Sequence, residues 1–153
     1  MGKVVKVIKT IYGKIDWGIV KNILISLLNT KIKIKENNVE LKIDKKFIRE
    51  FTHSNYSANI DRKLQNVKAN ISYYLKEIIE NSGHIKSEEN TKEKHNLDAH
   101  NGFEKYTARF IVMDNQYNIT KEYSCVIVVR CPNYKERYIY DIVDIKKVGP
   151  PQR

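Results

Sequence analysis

The run Lys105-Tyr-Thr-Ala-Arg-Phe-Ile-Val-Met113 and the two runs that follow it, Glu122–Cys131 and Arg137–Lys147, decide the fold. All three are rich in Val, Ile and Tyr, the residue types that favour strands. Polar turn residues connect them, beginning with Asp114 in the first connection and with Pro132 in the second. The pattern predicts an antiparallel meander in which strands adjacent in sequence are adjacent in the sheet.

The N-terminal half is predicted to form helices and one hairpin. Asp16 precedes apolar residues at helical spacing, which predicts a helix over Asp16–Asn29 with the aspartate as its N-cap. Strict alternation over Thr30–Asp44 predicts a hairpin with one buried face. Asp44 is placed to cap a short helix that runs through Phe51. An apolar stripe from Ile60 to Ile79 predicts the longest helix.

These segments predict a single α+β domain over residues 1–153, with N-terminal helices packed on a C-terminal antiparallel sheet. The length is that of one domain, and 41% hydrophobic residues are enough for a core. The expected parts are a first strand or a linker at 1–14, a mainly helical part with the hairpin at 15–81, a histidine-bearing loop at 82–104, the sheet at 105–147 and a tail at 148–153.

The charge balance is strongly basic. Lys and Arg number 28 against 18 acidic residues, a formal net charge of +10. Such a charge favours a polyanionic partner, although a lysine-rich surface without a specific partner is an equal alternative at this level. No apolar run reaches the roughly 18 residues of a membrane span. Cys125 and Cys131 are expected to be free, buried thiols, and no cysteine–histidine spacing suggests a metal site or a cofactor.

The densest polar cluster lies where the predicted loop meets the sheet. Lys105, Thr107 and Arg109 alternate along one strand and should share a face, and His95 and His100 lie in the loop just before it. Histidine suits general acid–base catalysis near neutral pH, and the cationic side chains of Lys and Arg can stabilise the negative charge of a phosphorane. The cluster predicts a metal-independent phosphodiester site, with a solvated strand face as the alternative.

Weaker candidates complete the predicted site. Lys63 and Lys68 are expected on the solvated face of the long helix, where they would line the far side of a nucleic-acid groove. His53 lies in a polar turn between helices as a further substrate-binding residue, and Tyr140 on the last strand is a weaker catalytic candidate. An ordinary solvated helix face and ordinary sheet packing are the alternatives.

Two stretches resemble a known family. Glu93–Phe110, with its His-Asn-Gly-Phe centre and Tyr-Thr-Ala-Arg-Phe end, and the closing Tyr138–Lys147 resemble segments of the barnase–EndoU–colicin–RelE-like nuclease group. These are C-terminal toxin domains of contact-dependent inhibition and other polymorphic toxin systems, and domains of phage polyproteins. The resemblance covers roughly residues 15–147.

The resemblance implies a barnase- or RelE-like fold and an endoribonuclease that leaves a 2′,3′-cyclic phosphate, with tRNA as the favoured substrate. His95 or His100 would be the acid–base residue, Lys105 and Arg109 would bind phosphate, and Thr107 would orient it. It also implies that a larger secreted or surface protein delivers the domain to the cytoplasm of the target cell. An acidic immunity protein and a host activating factor are the partners that it suggests. Alternatives are a non-catalytic RNA- or protein-binding domain of the same fold, and a phage structural module.

Overall fold

The computed structural model describes residues 2–53, 62–89 and 101–149. Within these residues the chain is mixed α+β, as the sequence predicts. The helices are α1 (Trp17–Ile25), α2 (Lys45–Thr52), α3 (Arg62–Ile71) and α4 (Leu75–Glu80), and a 3₁₀ turn at Ser72–Tyr74 joins the last two. The strands are β1 (Val5–Ile8), β2 (Lys31–Lys33), β3 (Glu40–Lys42), β4 (Gly83–Glu88), β5 (Phe103–Asp114), β6 (Ile119–Arg130) and β7 (Tyr138–Lys147).

The predicted meander is confirmed and forms the centre of a larger sheet. The strand order is β1-β5-β6-β7-β3-β2. Two strands share the outer edge of β5: β4 pairs with its first half and β1 with its second half. The β5–β6 and β6–β7 pairs are antiparallel, whereas β1 pairs with β5 and β3 with β7 in parallel. The sheet is therefore mixed, and it recruits strands from the N-terminal half. The prediction of a purely antiparallel, C-terminal sheet was wrong on these two points.

Both predicted aspartate caps are confirmed. Asp16 accepts the backbone N–H groups of Gly18 and Ile19 at the start of α1, and Asp44 accepts that of Phe47 at the start of α2. Each carboxylate satisfies amide groups that a helix leaves without a partner in its first turn. The two helices begin where the sequence predicts, and α1 ends at Ile25, earlier than the predicted Asn29.

The predicted longest helix, with its apolar stripe from Ile60 to Ile79, is interrupted after Ile71. The Ser72 hydroxyl donates to the Ala69 carbonyl at 2.6 Å, and the chain tightens into the 3₁₀ turn before α4 begins. A serine hydroxyl that bonds back to a carbonyl of the preceding turn competes with the regular helical pattern. The apolar stripe nevertheless enters the core on both sides of the turn, through Val67, Ile71, Ile78 and Ile79.

The segment predicted as a loop at 82–104 begins with a strand. β4 pairs antiparallel with the first half of β5, with a bulge between His84 and Lys86. Five of its six residues are exposed, so it lacks the buried alternation that marks a strand in sequence. The prediction of a loop was therefore wrong for this part. Residues 90–100, with His95 and His100, lie outside the described residues.

Asn70 joins the end of β1 to α3. Its Oδ1 accepts the backbone N–H groups of Thr10 and Ile11, both at 2.9 Å, and its Nδ2 donates to the Ile11 carbonyl at 3.1 Å. The side chain is completely buried. Asn70 lies seven residues after the exposed Lys63 on α3, and it is buried because the chain after β1 crosses this part of the helix and is held there by these hydrogen bonds.

We expect Asn70→Ala to lower the free energy of unfolding by about 2–4 kcal/mol, because it removes the acceptor of two part-buried backbone N–H groups, those of Thr10 and Ile11, at roughly 1–3 kcal/mol each. Urea unfolding followed by circular dichroism measures the change. Asn22→Ala is the matched control: Asn22 is exposed in α1, and its loss should change stability by less than about 0.5 kcal/mol. Equal effects of the two substitutions would contradict the role of Asn70.

Candidate functional site

The predicted row of Lys105, Thr107 and Arg109 lies along one face of β5, as the alternation predicts. Its members are half-buried, whereas Tyr106, Ala108 and Phe110 on the other face are buried in the core. The three side chains therefore share a face, and we call them the cationic row.

The cations of this row are already paired with carboxylates. Arg109 Nη2 donates to Glu122 on the neighbouring strand, and Lys105 Nζ lies 3.4 Å from Glu88 Oε1 on β4. The Thr107 hydroxyl donates to the Cys125 carbonyl at 3.3 Å. A phosphate would have to displace Glu122 and Glu88 to bind both cations. The row is thus a charge-balanced surface, and its role as a phosphate site stays a prediction.

The remaining predicted residues that the structure describes lie on other elements than β5. Lys68 is only 3% exposed and forms an ion pair with Asp141 at 3.4 Å, so the prediction that it lies on a solvated face was wrong. Lys63 is exposed near the start of α3, and His53 is exposed at the C-terminal end of α2. Tyr140 on β7 meets the Phe103 ring edge-on, with 6.0 Å between the ring centroids.

A cavity of about 490 Å³ lies at the end of the sheet where β4 ends, β5 begins and the β6–β7 connection passes. We call it the rim cavity. Its walls include Ser87, Glu89, Asn101, Glu104, Tyr134 and Arg137. Glu89 and Asn101 are the two described residues that flank the segment carrying His95 and His100. Both described residues that border this segment therefore lie in the wall of the rim cavity.

Arg137 and Glu104 form the charged centre of the rim cavity. Arg137 Nε donates to Glu104 Oε1 at 2.8 Å, and its Nη1 makes a long contact of 3.5 Å with the Tyr134 carbonyl. The hydrogen bond to Glu104 raises the pKa of Arg137, so the guanidinium stays charged throughout the physiological range. A guanidinium carries five N–H donors, and these contacts leave several of them for a ligand.

A hydrogen-bond chain fixes Glu104. The Tyr106 hydroxyl donates to Glu104 Oε1 at 3.3 Å and accepts from Asn37 in the hairpin turn, also at 3.3 Å. Burial raises the pKa of Tyr106 to about 12, so the phenol stays protonated and keeps donating. The His84 ring meets the Tyr106 ring edge-on at 5.3 Å. Residues from β4, β5 and the hairpin thus hold the carboxylate that positions Arg137.

Tyr134 and Cys131 are the other notable members of the cavity wall. Tyr134 is 89% exposed, which is unusual for a large aromatic side chain and makes its ring available for stacking. Cys131 and Cys125 are free, buried thiols, as the sequence predicts. Burial raises the pKa of Cys131 to about 11 and that of Cys125 to about 12, so neither is a thiolate nucleophile near neutral pH.

The rim cavity was missed in the sequence because its parts are far apart in the chain. Glu104 faces the core side of β5, opposite to the cationic row, and its partner Arg137 comes 33 residues later. No local spacing marks such a pair. One signal was present: Arg137 lies where a polar turn meets a predicted strand, and loops positioned by a rigid scaffold commonly carry function.

Within 2–53, 62–89 and 101–149, no group of three His, Cys, Asp or Glu side chains is arranged to hold a metal ion. In the same ranges no helix is both long enough and apolar enough to cross a membrane.

The class that the described residues define is an α+β domain with a mixed seven-stranded sheet and an arginine–carboxylate cavity at its rim. Comparison with known proteins adds no family to this description: no family model, no curated protein and no solved structure matches the chain.

Proposed function

We propose that the protein is a metal-independent endoribonuclease that cleaves RNA by attack of the 2′-hydroxyl on the adjacent phosphate, and that it acts in the rim cavity. The observation that carries the proposal is the position of Arg137. Its charged guanidinium lies in a concave site, oriented by Glu104, beside the two ends of the segment that holds His95 and His100.

Each step of the reaction has a candidate group. Arg137 holds the phosphate and stabilises the charge that builds on its oxygens in the phosphorane. Glu104 is a positioning residue that fixes the guanidinium. Tyr134 stacks on a base next to the cut. His95 and His100 share the two proton transfers, in which one accepts the 2′-hydroxyl proton and the other protonates the leaving 5′-oxygen.

The resemblance to the barnase–EndoU–colicin–RelE-like nuclease group supports the same proposal from the sequence. The α+β class agrees with it, and a barnase- or RelE-like packing of the helices on the sheet is part of the proposal. We further propose that the domain is a toxin, with tRNA as the favoured substrate, that a larger protein carries it into the cytoplasm of a target cell, and that an acidic immunity protein blocks its basic surface.

Cleavage of total bacterial RNA in EDTA tests this function. We expect discrete products on a denaturing gel, with 3′ ends that resist polyadenylation until acid has opened the cyclic phosphate and a phosphatase has then removed the phosphate. Repeating the reaction in a bacterial lysate shows whether a host factor is required. RNA that stays intact in both reactions, while still binding the protein, would favour a non-catalytic RNA-binding domain.

A further inference from the structure

A second concave surface lies at the opposite end of β5 from the rim cavity. It consists of a cavity of about 320 Å³ and an adjoining one of about 780 Å³, which share Gly13 and Arg62 in their walls. Ten residues of β5 separate Glu104 from Asp114 in the smaller cavity, or roughly 33 Å of extended strand. We call this surface the basic groove.

The basic groove collects cations from four parts of the chain. These are Lys9 after β1, Lys14 before α1, Arg62 and Lys63 at the start of α3, and Lys121 on β6. The carboxylate in its wall is Asp114, which is already engaged: Lys9 Nζ lies 3.8 Å away, and the Tyr12 hydroxyl donates to it at 3.2 Å.

Four of the five cations have no carboxylate partner within the part of the chain that the structure describes. Among the described residues, no acidic side chain lies within ion-pairing distance of Lys14, Arg62, Lys63 or Lys121, in contrast to the paired cations of the cationic row. Like charges held together around a cavity repel one another, and an anion in the cavity would relieve that repulsion. The basic groove therefore holds four such cations around one concave surface.

Aromatic and amide groups accompany the cations. The half-buried Trp17 ring lies in the wall of the larger cavity together with Gln65, and Asn66 lies in the smaller one. Cations that track a backbone, together with aromatic rings on which bases stack, are the combination that single-stranded nucleic acid binds.

We propose that the basic groove binds a single strand of nucleic acid as a surface separate from the rim cavity, and that it holds the substrate RNA at a distance from the cut. The choice of RNA as the natural strand rests on the proposed function. The binding itself does not, because a strand that cannot be cleaved should occupy the groove equally well.

The test is fluorescence anisotropy with a labelled 2′-O-methyl oligouridylate of about 12 nucleotides, within the site sizes of single-strand binders. This strand lacks the 2′-hydroxyl that cleavage needs, so binding is measured whether or not the protein is a nuclease. We expect the Arg62→Gln, Lys63→Gln double variant to bind at least about 10-fold more weakly near 0.1 M salt. The slope of log K against log salt should become shallower by about 1.4.

The Lys31→Gln, Lys33→Gln double variant is the matched control. It removes the same charge from exposed positions on the edge strand β2, far from the groove in the strand order. We expect less than about a 2-fold change from it. Equal weakening by both double variants would show that only net charge matters, and failure of the unmodified protein to bind the strand would exclude nucleic acid as the occupant. Either result overturns the proposal.

The two proposals can be distinguished. If the protein binds the oligouridylate but does not cleave RNA, the binding role of the basic groove is supported and the ribonuclease function is rejected.

Discussion

Replacing Arg137 with alanine should reduce RNA cleavage by about 10²–10³-fold, the cost of removing one preorganised donor from a developing oxyanion. Arg137→Lys should recover only part of this loss. Lysine keeps the charge but lacks the planar fork that holds two phosphate oxygens and the Glu104 carboxylate together. Initial rates on a labelled RNA, with the thermal unfolding midpoint as a check on folding, measure the effect.

Arg109→Ala is the matched control for Arg137→Ala. Both substitutions remove an arginine that is paired with a glutamate and partly exposed, at 40% for Arg109 and 29% for Arg137. Arg109 points to the other face of β5, about 17 Å along the strand from Glu104. The rim-cavity account predicts a small change for Arg109→Ala. A large loss from Arg109→Ala with little from Arg137→Ala would move the site to the cationic row, as the sequence first predicts.

Glu104→Gln separates positioning of Arg137 from general loss of structure. Glutamine preserves the shape and one acceptor oxygen but removes the charge that raises the pKa of Arg137 and orients its Nε. We expect kcat to fall by about 10–100-fold, which is the typical loss when a residue that orients a functional group through a hydrogen bond is replaced. KM should change less, because the guanidinium remains to bind phosphate. A change confined to thermal stability would contradict a positioning role.

Asp141→Asn should lower the free energy of unfolding by about 3–5 kcal/mol at pH 7, because it removes the carboxylate that most favours the charged form of the buried Lys68 ammonium. Both side chains are almost inaccessible, 3% for Lys68 and 1% for Asp141. The substitution is nearly isosteric and keeps the oxygen that accepts the Ile142 amide hydrogen at 2.8 Å, so the change isolates the charge.

The pH dependence of this difference has a definite sign. Burial lowers the pKa of Lys68, and the Asp141 charge opposes that shift. Without Asp141 the folded-state pKa of Lys68 falls further below its unfolded value of 10.5. The range of pH in which the unfolded chain holds a proton on Lys68 and the folded chain does not therefore becomes wider. The variant should therefore regain stability relative to the unmodified protein as pH rises towards that value.

Denaturant unfolding of the unmodified protein and of Asp141→Asn at pH 7 and pH 9.5 measures how their difference in stability changes with pH. The contributions of the other titrating groups cancel in this difference. The double variant Lys68→Met, Asp141→Asn is the control. Removing both charges should leave a smaller loss than Asp141→Asn alone. A loss in Asp141→Asn that is independent of pH and unchanged in the double variant would show that the pair is not electrostatically coupled.

The features that sequence reasoning predicted well depend on local chemistry. The caps at Asp16 and Asp44, the hairpin between them and the three long strands follow from neighbouring residues, and the structure confirms them. The faces of β5 follow from simple alternation in the same way. Such features can be predicted because a cap or a strand face involves only residues a few positions apart.

The features that it missed depend on long-range contacts. Lys68 and Asn70 look like members of a polar helix face, but β7 and the end of β1 cover them. A buried lysine is recognised only through its partner, and Asp141 is 73 residues away. The same holds for the rim cavity, where Glu104 on β5 meets a residue that precedes β7. Predicting it would have required the pairing of β4 with β5 and the contact between Glu104 and Arg137, which local patterns do not determine.

Metal-independent cleavage through the 2′-hydroxyl is tested by the rate at which the purified protein cuts a labelled RNA in EDTA, compared with its rate on the fully 2′-O-methylated form of the same RNA. We expect cleavage of the unmodified RNA, with a cyclic phosphate at the new 3′ end, and none of the methylated strand. Equal cleavage of both strands, or of neither when a bacterial lysate is added, would contradict it.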